Sequence, residues 1–107
     1  MPYYMLQATY TPASMTALVQ SPKDRRQLLR SVIEKLGGKL ENSWLAFGEY
    51  DVVLIIQMPN DQSMAAFAMA ASAAGGVKAL KTTPLISWEE GMLAMKQARE
   101  AGYQPPK

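Results

Sequence analysis

The sequence contains no cysteine and no histidine. Without cysteine, the chain cannot form a disulfide, a thiolate metal site or a nucleophilic thiol. Without histidine, it lacks the side chain that most often acts as a general base and most often binds a metal ion. The carboxylates that are present show none of the spacings of a known cation-binding loop. We therefore expect neither a metal site nor a cofactor.

Long hydrophobic runs and a strong excess of one charge are also missing. The longest run without a polar residue is residues 64–71, which is too short to cross a bilayer. The N-terminus lacks the basic start and the apolar stretch of a signal peptide. The formal net charge is only +2, from 11 Lys and Arg residues and 9 Asp and Glu residues, whereas nucleic-acid binding usually requires a concentrated basic face. We therefore expect a cytoplasmic protein whose partners are neither membranes nor nucleic acids.

The sequence does contain enough apolar material for one domain. Hydrophobic residues make up 49% of the 107 residues and charged residues 19%, which is the composition of a globular protein. This length is typical of a single domain. We predict one domain over residues 1–101 and a flexible tail over residues 102–107, where two prolines follow a glycine.

Hydrophobic periodicity and helix-capping residues predict the order βαββαβ, followed by a last helix. A Gly-Gly pair ends each of the two main helices, at Gly37 and at Gly75. Ser21 and Pro22 are expected to restart or to kink the first helical stretch. The predicted strands are residues 3–10, 39–47, 50–58 and 77–83, and the predicted helices are residues 11–36, broken or kinked at 21 and 22, then 64–74 and 87–101.

Two βα units joined by a hairpin form a ferredoxin-like α+β sandwich. We predict the strand order 4-1-3-2, with the first and third strands central, and a two-residue hairpin loop at Gly48 and Glu49. Pro84 agrees with this order because it falls on an edge strand, where a missing backbone donor is tolerated. Trp44 and Trp88 are both expected in the hydrophobic core.

Two segments are apolar on both faces of their predicted strands. Residues 44–47 and 52–56 do not alternate between apolar and polar side chains, as the strands of a half-exposed sheet would. The helices of one chain cover only one face of the sheet. We therefore expect a second copy to cover the other face, forming a homodimer by sheet-to-sheet packing. The alternative is a monomer with one modestly exposed face.

Residues 47–53, Phe-Gly-Glu-Tyr-Asp-Val-Val, followed by Pro-Asn-Asp at residues 59–61, resemble the signature of the GYD domain family. The opening strand, the helix start at residues 21–25 and the strand start at residues 76–78 are similar as well. The resemblance implies a small bacterial protein with the fold of dimeric α+β-barrel proteins. It implies no particular reaction.

The motif residues Gly48, Tyr50 and Asp51 have two interpretations. In the structural one, Gly48 takes a positive φ angle in the hairpin and Asp51 accepts hydrogen bonds from the backbone amides of the turn. In the functional one, Tyr50 and Asp51 contact a ligand at the mouth of a pocket. We favour the structural interpretation, because Gly and Asp near a turn most often serve the backbone.

Further ligand-binding candidates lie on the strands and at a helix start. Strand faces that mix polar and apolar side chains are typical of a small-molecule site, and equally of a dimer interface with hydrogen bonds across it. Arg25 could hold an anion near a helix N-terminus, and Trp44 lies near the predicted interface. The candidates are Gln7, Thr9, Arg25, Trp44, Tyr50, Asp51 and Gln57.

Three functions are open at this point. The first is a homodimeric domain that binds a small apolar or amphipathic molecule, or a protein partner, without catalysis. The second is a cofactor-independent enzyme, a small monooxygenase or isomerase, with Trp44, Tyr50 and Asp51 as reactive groups and Arg25 stabilising an oxyanion. The third is a tautomerase that uses the amine of Pro2 as a base after removal of the initiating methionine. The absence of converging acid and base groups favours the first.

Overall fold

Four strands and four helices follow one another along residues 1–106, which are the residues that the computed structural model describes. The predicted flexible tail includes Lys107, which lies outside the described residues. The elements are β1 (Tyr3–Tyr10), α1 (Pro12–Gln20), α2 (Arg26–Lys35), β2 (Lys39–Leu45), β3 (Val52–Gln57), α3 (Asp61–Ala73), β4 (Val77–Leu85) and α4 (Trp88–Ala101).

The four strands form one antiparallel sheet in the order β2-β3-β1-β4. β1 is central, because Leu6 pairs with Leu54 of β3 on one side and with Thr82 of β4 on the other. The predicted strand order and the ferredoxin-like α+β fold are confirmed, and Pro84 lies on an edge strand as expected. The other edge strand, β2, contains a register shift after Leu40.

The hydrophobic core lies between one face of the sheet and the helices α2 and α3. Alternate residues of β1 and β3 belong to this face, as the two-residue period of a strand requires. They pack against Ile33 of α2 and against Met64 and Phe67 of α3. The buried residues of these two strands are Tyr4, Leu6, Ala8, Val52, Leu54 and Ile56.

No residue on the opposite face of the sheet is buried by the described chain. The strand register places Trp44 of β2 and Leu85 of β4 on this face, opposite Val53 and Tyr3. We call this surface the open face of the sheet. It consists of Tyr3, Met5, Gln7, Thr9, Lys39, Asn42, Trp44, Val53, Ile55, Gln57, Ala79, Lys81, Thr83 and Leu85.

Gly37 and Gly75 follow α2 and α3 in the left-handed backbone conformation, with φ angles of 84° and 79°. After α2, the N–H of Gly37 donates to the carbonyl oxygen of Glu34 at 2.9 Å, and the N–H of Gly38 donates to that of Ile33 at 3.0 Å. These two bonds form a Schellman motif, which pairs carbonyl groups that the end of a helix leaves free. The predicted helix ends are confirmed.

The start of α2 differs from the prediction. Ser21 and Pro22 lie in a break between α1 and α2, and α2 begins only at Arg26. The reason is Asp24, whose Oδ1 accepts a hydrogen bond from the backbone N–H of Arg26 at 3.0 Å. The same carboxylate also binds the guanidinium group of Arg26. Asp24 therefore satisfies a free backbone donor at the start of α2, whereas Ser21 and Pro22 lie before it.

The β2–β3 hairpin has a longer loop than the two residues predicted at Gly48 and Glu49. The last cross-strand bond before the tip runs from the N–H of Ala46 to the carbonyl oxygen of Asp51 at 2.8 Å. Asp51 is held at this position because its own N–H donates to the carbonyl oxygen of Ala8 in β1, also at 2.8 Å. Gly48 has a positive φ angle of 152°, as predicted.

Helix α4 leaves the body of the molecule after β4. Ser87 caps it as predicted, because its side-chain oxygen accepts a hydrogen bond from the N–H of Glu90 at 3.1 Å. No residue of α4 is buried. Trp88 is 81% exposed and Trp44 is 65% exposed, so the prediction that both lie in the core is wrong. Neither α4 nor the end of the edge strand β2 is covered by another element of the described chain.

The molecule is elongated, with extents of 56 × 35 × 22 Å and a radius of gyration of 17.1 Å. A compact domain of this length has a radius of gyration of about 13 Å. The helix α4, about 21 Å long at ~1.5 Å per residue, accounts for the difference. Among residues 1–106, no helix is both long and apolar enough to cross a membrane.

Candidate functional site

A cavity of about 830 Å³ opens between two helices and the ends of three strands. α1 and the start of α2 form one wall. β1, β2 and β3 form the other wall, at the end of the sheet where the β2–β3 hairpin turns. The volume falls within the range of small-molecule sites, roughly 300–1,000 Å³. The cavity is therefore large enough to take a small ligand.

Apolar side chains make up most of the wall. Met15, Leu18 and Val19 lie on one side of α1, because residues three and four apart share a helix face. Leu29 of α2 and Leu45 of β2 line the same cavity. Val19 is 71% exposed and Leu45 is 83% exposed. A ligand with an apolar part would remove these side chains from water, which stabilises a complex by roughly 1.5–3 kcal/mol for each side chain that becomes fully buried.

Charged side chains gather at the α2 side of the cavity. Asp24 and Arg26 form an ion pair with an oxygen–nitrogen distance of 2.6 Å, and hydrogen bonds from Arg26 lower the pKa of Asp24 to about 2. Arg25 and Lys23 also line the cavity, and neither forms an ion pair with any residue in the range 1–106. Both lie beside the N-terminus of α2, where free backbone N–H groups carry partial positive charge. This side of the cavity suits a negatively charged group.

Asp51 lines the strand side of the cavity, but its carboxylate serves the backbone. Its Oδ2 accepts a hydrogen bond from the N–H of Tyr10 at 2.9 Å. The pairing of β3 with β1 stops at Val52 and Ala8, so the carboxylate provides the acceptor that the last residue of β1 would otherwise lack. Asp51 thus ties the hairpin to β1 and forms part of the cavity wall at the same time.

The sequence profile of the GYD domain matches residues 4–95, which is most of the chain. The chain belongs to the GYD domain family. None of the curated proteins compared with it matches.

Three solved structures resemble this GYD domain protein at low sequence identity. FFRP-DM1 is 12% identical, with a TM-score of 0.51, over 80% of this chain and 100% of that one. MtbAldR is 17% identical, with a TM-score of 0.52, over 80% of this chain and 52% of that one. TTHA0845 from Thermus thermophilus is 15% identical, with a TM-score of 0.53, over 81% of this chain and 95% of that one. At these identities the similarity shows the fold alone.

The motif of this GYD domain joins the hairpin to the central strand. Besides the contacts of Asp51, the side-chain hydroxyl of Thr9 donates to the carbonyl oxygen of Glu49 at 2.9 Å. Gly48 and Tyr50 lie in the hairpin tip, and neither lines the cavity. The structural interpretation expects Asp51 to accept hydrogen bonds from amides of the turn, whereas its Oδ2 accepts one from the N–H of Tyr10 in β1.

The predicted ligand-binding residues fall into two groups. Arg25, Trp44 and Asp51 line the cavity, and Trp44 also belongs to the open face of the sheet. The remaining strand candidates, Gln7, Thr9 and Gln57, do not line it and belong to the open face of the sheet. Tyr50 belongs to neither group.

Sequence reasoning missed the part of the cavity wall that α1 provides. The signal was present, since Met15, Leu18 and Val19 recur at helical spacing. Such a row normally packs on the core of its own chain. Here α1 has no buried residue, and its row faces the cavity, whose far wall comes from Ser43 and Leu45, distant in the sequence.

A second polar contact lies at the other end of β1. The hydroxyl of Tyr4 donates to Oδ1 of Asp61 at 2.5 Å. This hydrogen bond and burial together raise the pKa of Tyr4 to about 12. Asp61 is the first residue of α3, so the contact joins the central strand to that helix. Within residues 1–106, no three carboxylates lie close enough together to hold a metal ion.

Proposed function

We propose that this GYD domain protein binds a small amphipathic molecule, without catalysing a reaction, in the cavity between α1, α2 and the sheet. The observation that carries the proposal is the cavity of about 830 Å³, with apolar walls and, at one side, two cations, Lys23 and Arg25, that pair with no carboxylate among residues 1–106. An apolar tail would cover Val19 and Leu45, and a negatively charged head would lie beside Arg25.

The hydrogen bonds around the cavity support binding more than catalysis. Asp24 is paired with Arg26, and Asp51 accepts a hydrogen bond from Tyr10, so both carboxylates of the wall are engaged. A general base must be able to take a proton from a substrate within hydrogen-bond reach. The enzyme alternative also requires Tyr50, which does not line the cavity.

The test of binding uses the fluorescent probe 1-anilinonaphthalene-8-sulfonate, which has an apolar ring system and one negative charge. We expect Val19→Asp to weaken probe binding about tenfold or more, because it places a carboxylate in the apolar wall. The matched control is Met69→Asp on α3, since Met69 is 69% exposed and Val19 is 71% exposed. Met69 does not line the cavity. Equal dissociation constants for the two variants would place the probe elsewhere and overturn the proposal.

We also propose that two copies pack through the open face of the sheet. The chain exposes 7897 Å², whereas a folded monomer of this mass exposes about 5,900 Å². The surplus is about 2,000 Å² for one chain, and a stable interface needs roughly 800 Å² from each partner. Met5, Val53 and Ile55 form a half-exposed apolar centre on the open face, which would give such an interface an apolar middle.

Sedimentation equilibrium at micromolar concentration tests the homodimer. We expect a mass twice 11.8 kDa for the wild type. Ile55→Glu is expected to give a monomer, because a buried interface would enclose an unpaired carboxylate. Met69→Glu is the control, since that residue lies on the outer side of α3 and is 69% exposed. A wild-type monomer, or a dimer unchanged by Ile55→Glu, would contradict the proposal.

A further inference from the structure

Helix α4 carries an apolar stripe that the rest of the described chain leaves uncovered. Trp88, Met92 and Met95 recur at positions i, i+4 and i+7 and so lie along one side of the helix. Their exposed fractions are 81%, 51% and 59%. Gly91 lies beside the stripe and has no side chain to obstruct a partner. We call Trp88, Met92 and Met95 the α4 stripe.

The charges of α4 argue for a protein partner. Helices that lie on membrane surfaces are rich in Lys and Arg on their polar side. α4 instead has Glu89 and Glu90 in its first turn and Arg99 in its last, together with Lys96 and Glu100. This arrangement follows the helix dipole, gives no excess of positive charge and offers nothing to an anionic lipid or a nucleic acid.

The position of α4 favours a second copy of this chain as the partner. Only Ile86 and Ser87 separate α4 from Leu85, which lies on the open face beside Tyr3. Ile86 is itself 63% exposed, so apolar surface continues from the open face to the start of α4. A dimer that joins two open faces would bring the start of α4 of each chain close to the other copy.

We infer that α4 is an exchanged arm: the α4 stripe of each chain packs against the second copy and not against its own sheet. The inference rests on the homodimer proposed above and adds α4 as a second element that holds the two copies together. The elongated shape, with a radius of gyration of 17.1 Å, is expected for a single subunit of such a dimer, because its α4 extends toward a surface that belongs to the other copy. A two-fold dimer would contain two such contacts, one from each chain.

The first test compares two sides of α4. In Met92→Asp/Met95→Asp, the stripe carries two carboxylates, and we expect the dissociation constant of the dimer to rise about 100-fold, because interface cores tolerate unpaired charge poorly. The control is Leu93→Asp, since Leu93 is 61% exposed and lies about 100° or more around the helix from the stripe residues. We expect less than a threefold change for Leu93→Asp. All three proteins should show the same circular dichroism, because no residue of α4 is buried in the single chain.

The outcomes separate this inference from the proposed homodimer. If Ile55→Glu splits the dimer and the stripe variant does not, the sheet interface stands and the role of α4 is overturned. If the stripe variant and Leu93→Asp weaken the dimer equally, the stripe is not the contact and the inference is again overturned. A wild-type monomer with a radius of gyration near 13 Å would show α4 folded onto its own chain, which refutes both.

A second measurement uses the absence of cysteine. Met95→Cys gives the chain its single thiol, which can carry a spin label. Label mobility is expected to fall as protein concentration rises through the dimer dissociation constant, because the α4 stripe then becomes covered. The same label at Leu93→Cys should stay mobile at all concentrations. A label at residue 95 that stays mobile in the dimer would contradict the exchange.

Discussion

Replacing Gly38 by alanine should damage the fold far more than the same change at Gly76, although both residues are the second member of a Gly-Gly pair after a helix. A Cβ atom at Gly38 would lie 2.5 Å from the carbonyl oxygen of Gln57 and 2.5 Å from the sulfur of Met58. It would also lie 3.1 Å from a methyl group of Ile33. The carbonyl oxygen cannot move alone, because it belongs to the backbone of the central sheet.

The magnitude follows from these contacts. Overpacking in a tight interior costs typically ~1–3 kcal/mol and sometimes more, and a contact with backbone places Gly38→Ala at about 3 kcal/mol or above. At Gly76 the nearest atom to a new Cβ is the hydroxyl oxygen of Ser14 at 3.3 Å, which a change of rotamer relieves. We expect Gly76→Ala to cost less than about 1 kcal/mol.

Urea unfolding followed by circular dichroism measures both variants against the wild type. For a domain of this size, ~3 kcal/mol corresponds to a fall in melting temperature of roughly 12–24 °C. The two variants can be compared directly, because each substitution adds one methyl group to the residue that follows a left-handed glycine. We attribute the need for glycine at residue 38 to the close approach of β3, and not to the Gly-Gly motif itself. Equal unfolding free energies for the two variants would refute this.

Three further predictions concern polar groups. Because the pKa of Tyr4 is raised from 10.0 to about 12, its contribution to stability is complete below pH 10 and is lost as the pH rises to about 12. In urea titrations, the wild type should therefore lose more unfolding free energy over this pH range than Tyr4→Phe. Parallel curves for the two proteins would contradict the raised pKa of Tyr4. Asp51→Ala leaves the N–H of Tyr10 without its acceptor and should lower the unfolding free energy by ~1–3 kcal/mol, so an unchanged urea midpoint would show that water replaces the carboxylate. Arg25→Gln should weaken calorimetric binding of decanoate about tenfold and leave decanol binding unchanged, whereas equal losses would show that Arg25 does not hold the negative head.

Local patterns in the sequence were sufficient for the order of elements. The strands either alternate between apolar and polar side chains or are apolar throughout, and Gly37 and Gly75 mark the helix ends. The ferredoxin-like topology therefore follows from signals within a few residues of each element. The hairpin loop was predicted too short because its length depends on the bond between Asp51 and Ala8. That contact joins residues far apart in the chain, and periodicity carries no information about it.

The candidate site was predictable only in part for the same reason. Arg25 and Trp44 could be selected from the sequence by type and position, and both line the cavity. The cavity itself exists because α1 stands away from the core, which its apolar row does not reveal. Trp88 was assigned to the core for its size and apolar character, yet α4 finds nothing to pack on within the described chain.

The two edge strands have a consequence for how copies can associate. Exposed sheet edges invite other strands to add on, and such growth has no natural end. Here β2 is interrupted by its register shift after Leu40, and β4 carries Pro84, which offers no backbone donor, as well as the exposed cations of Lys78 and Lys81. Both routes to an extended ribbon are therefore obstructed. If copies associate through the proposed open-face interface instead, a two-fold pair closes on itself, and we expect concentrated solutions to contain discrete particles and no fibres.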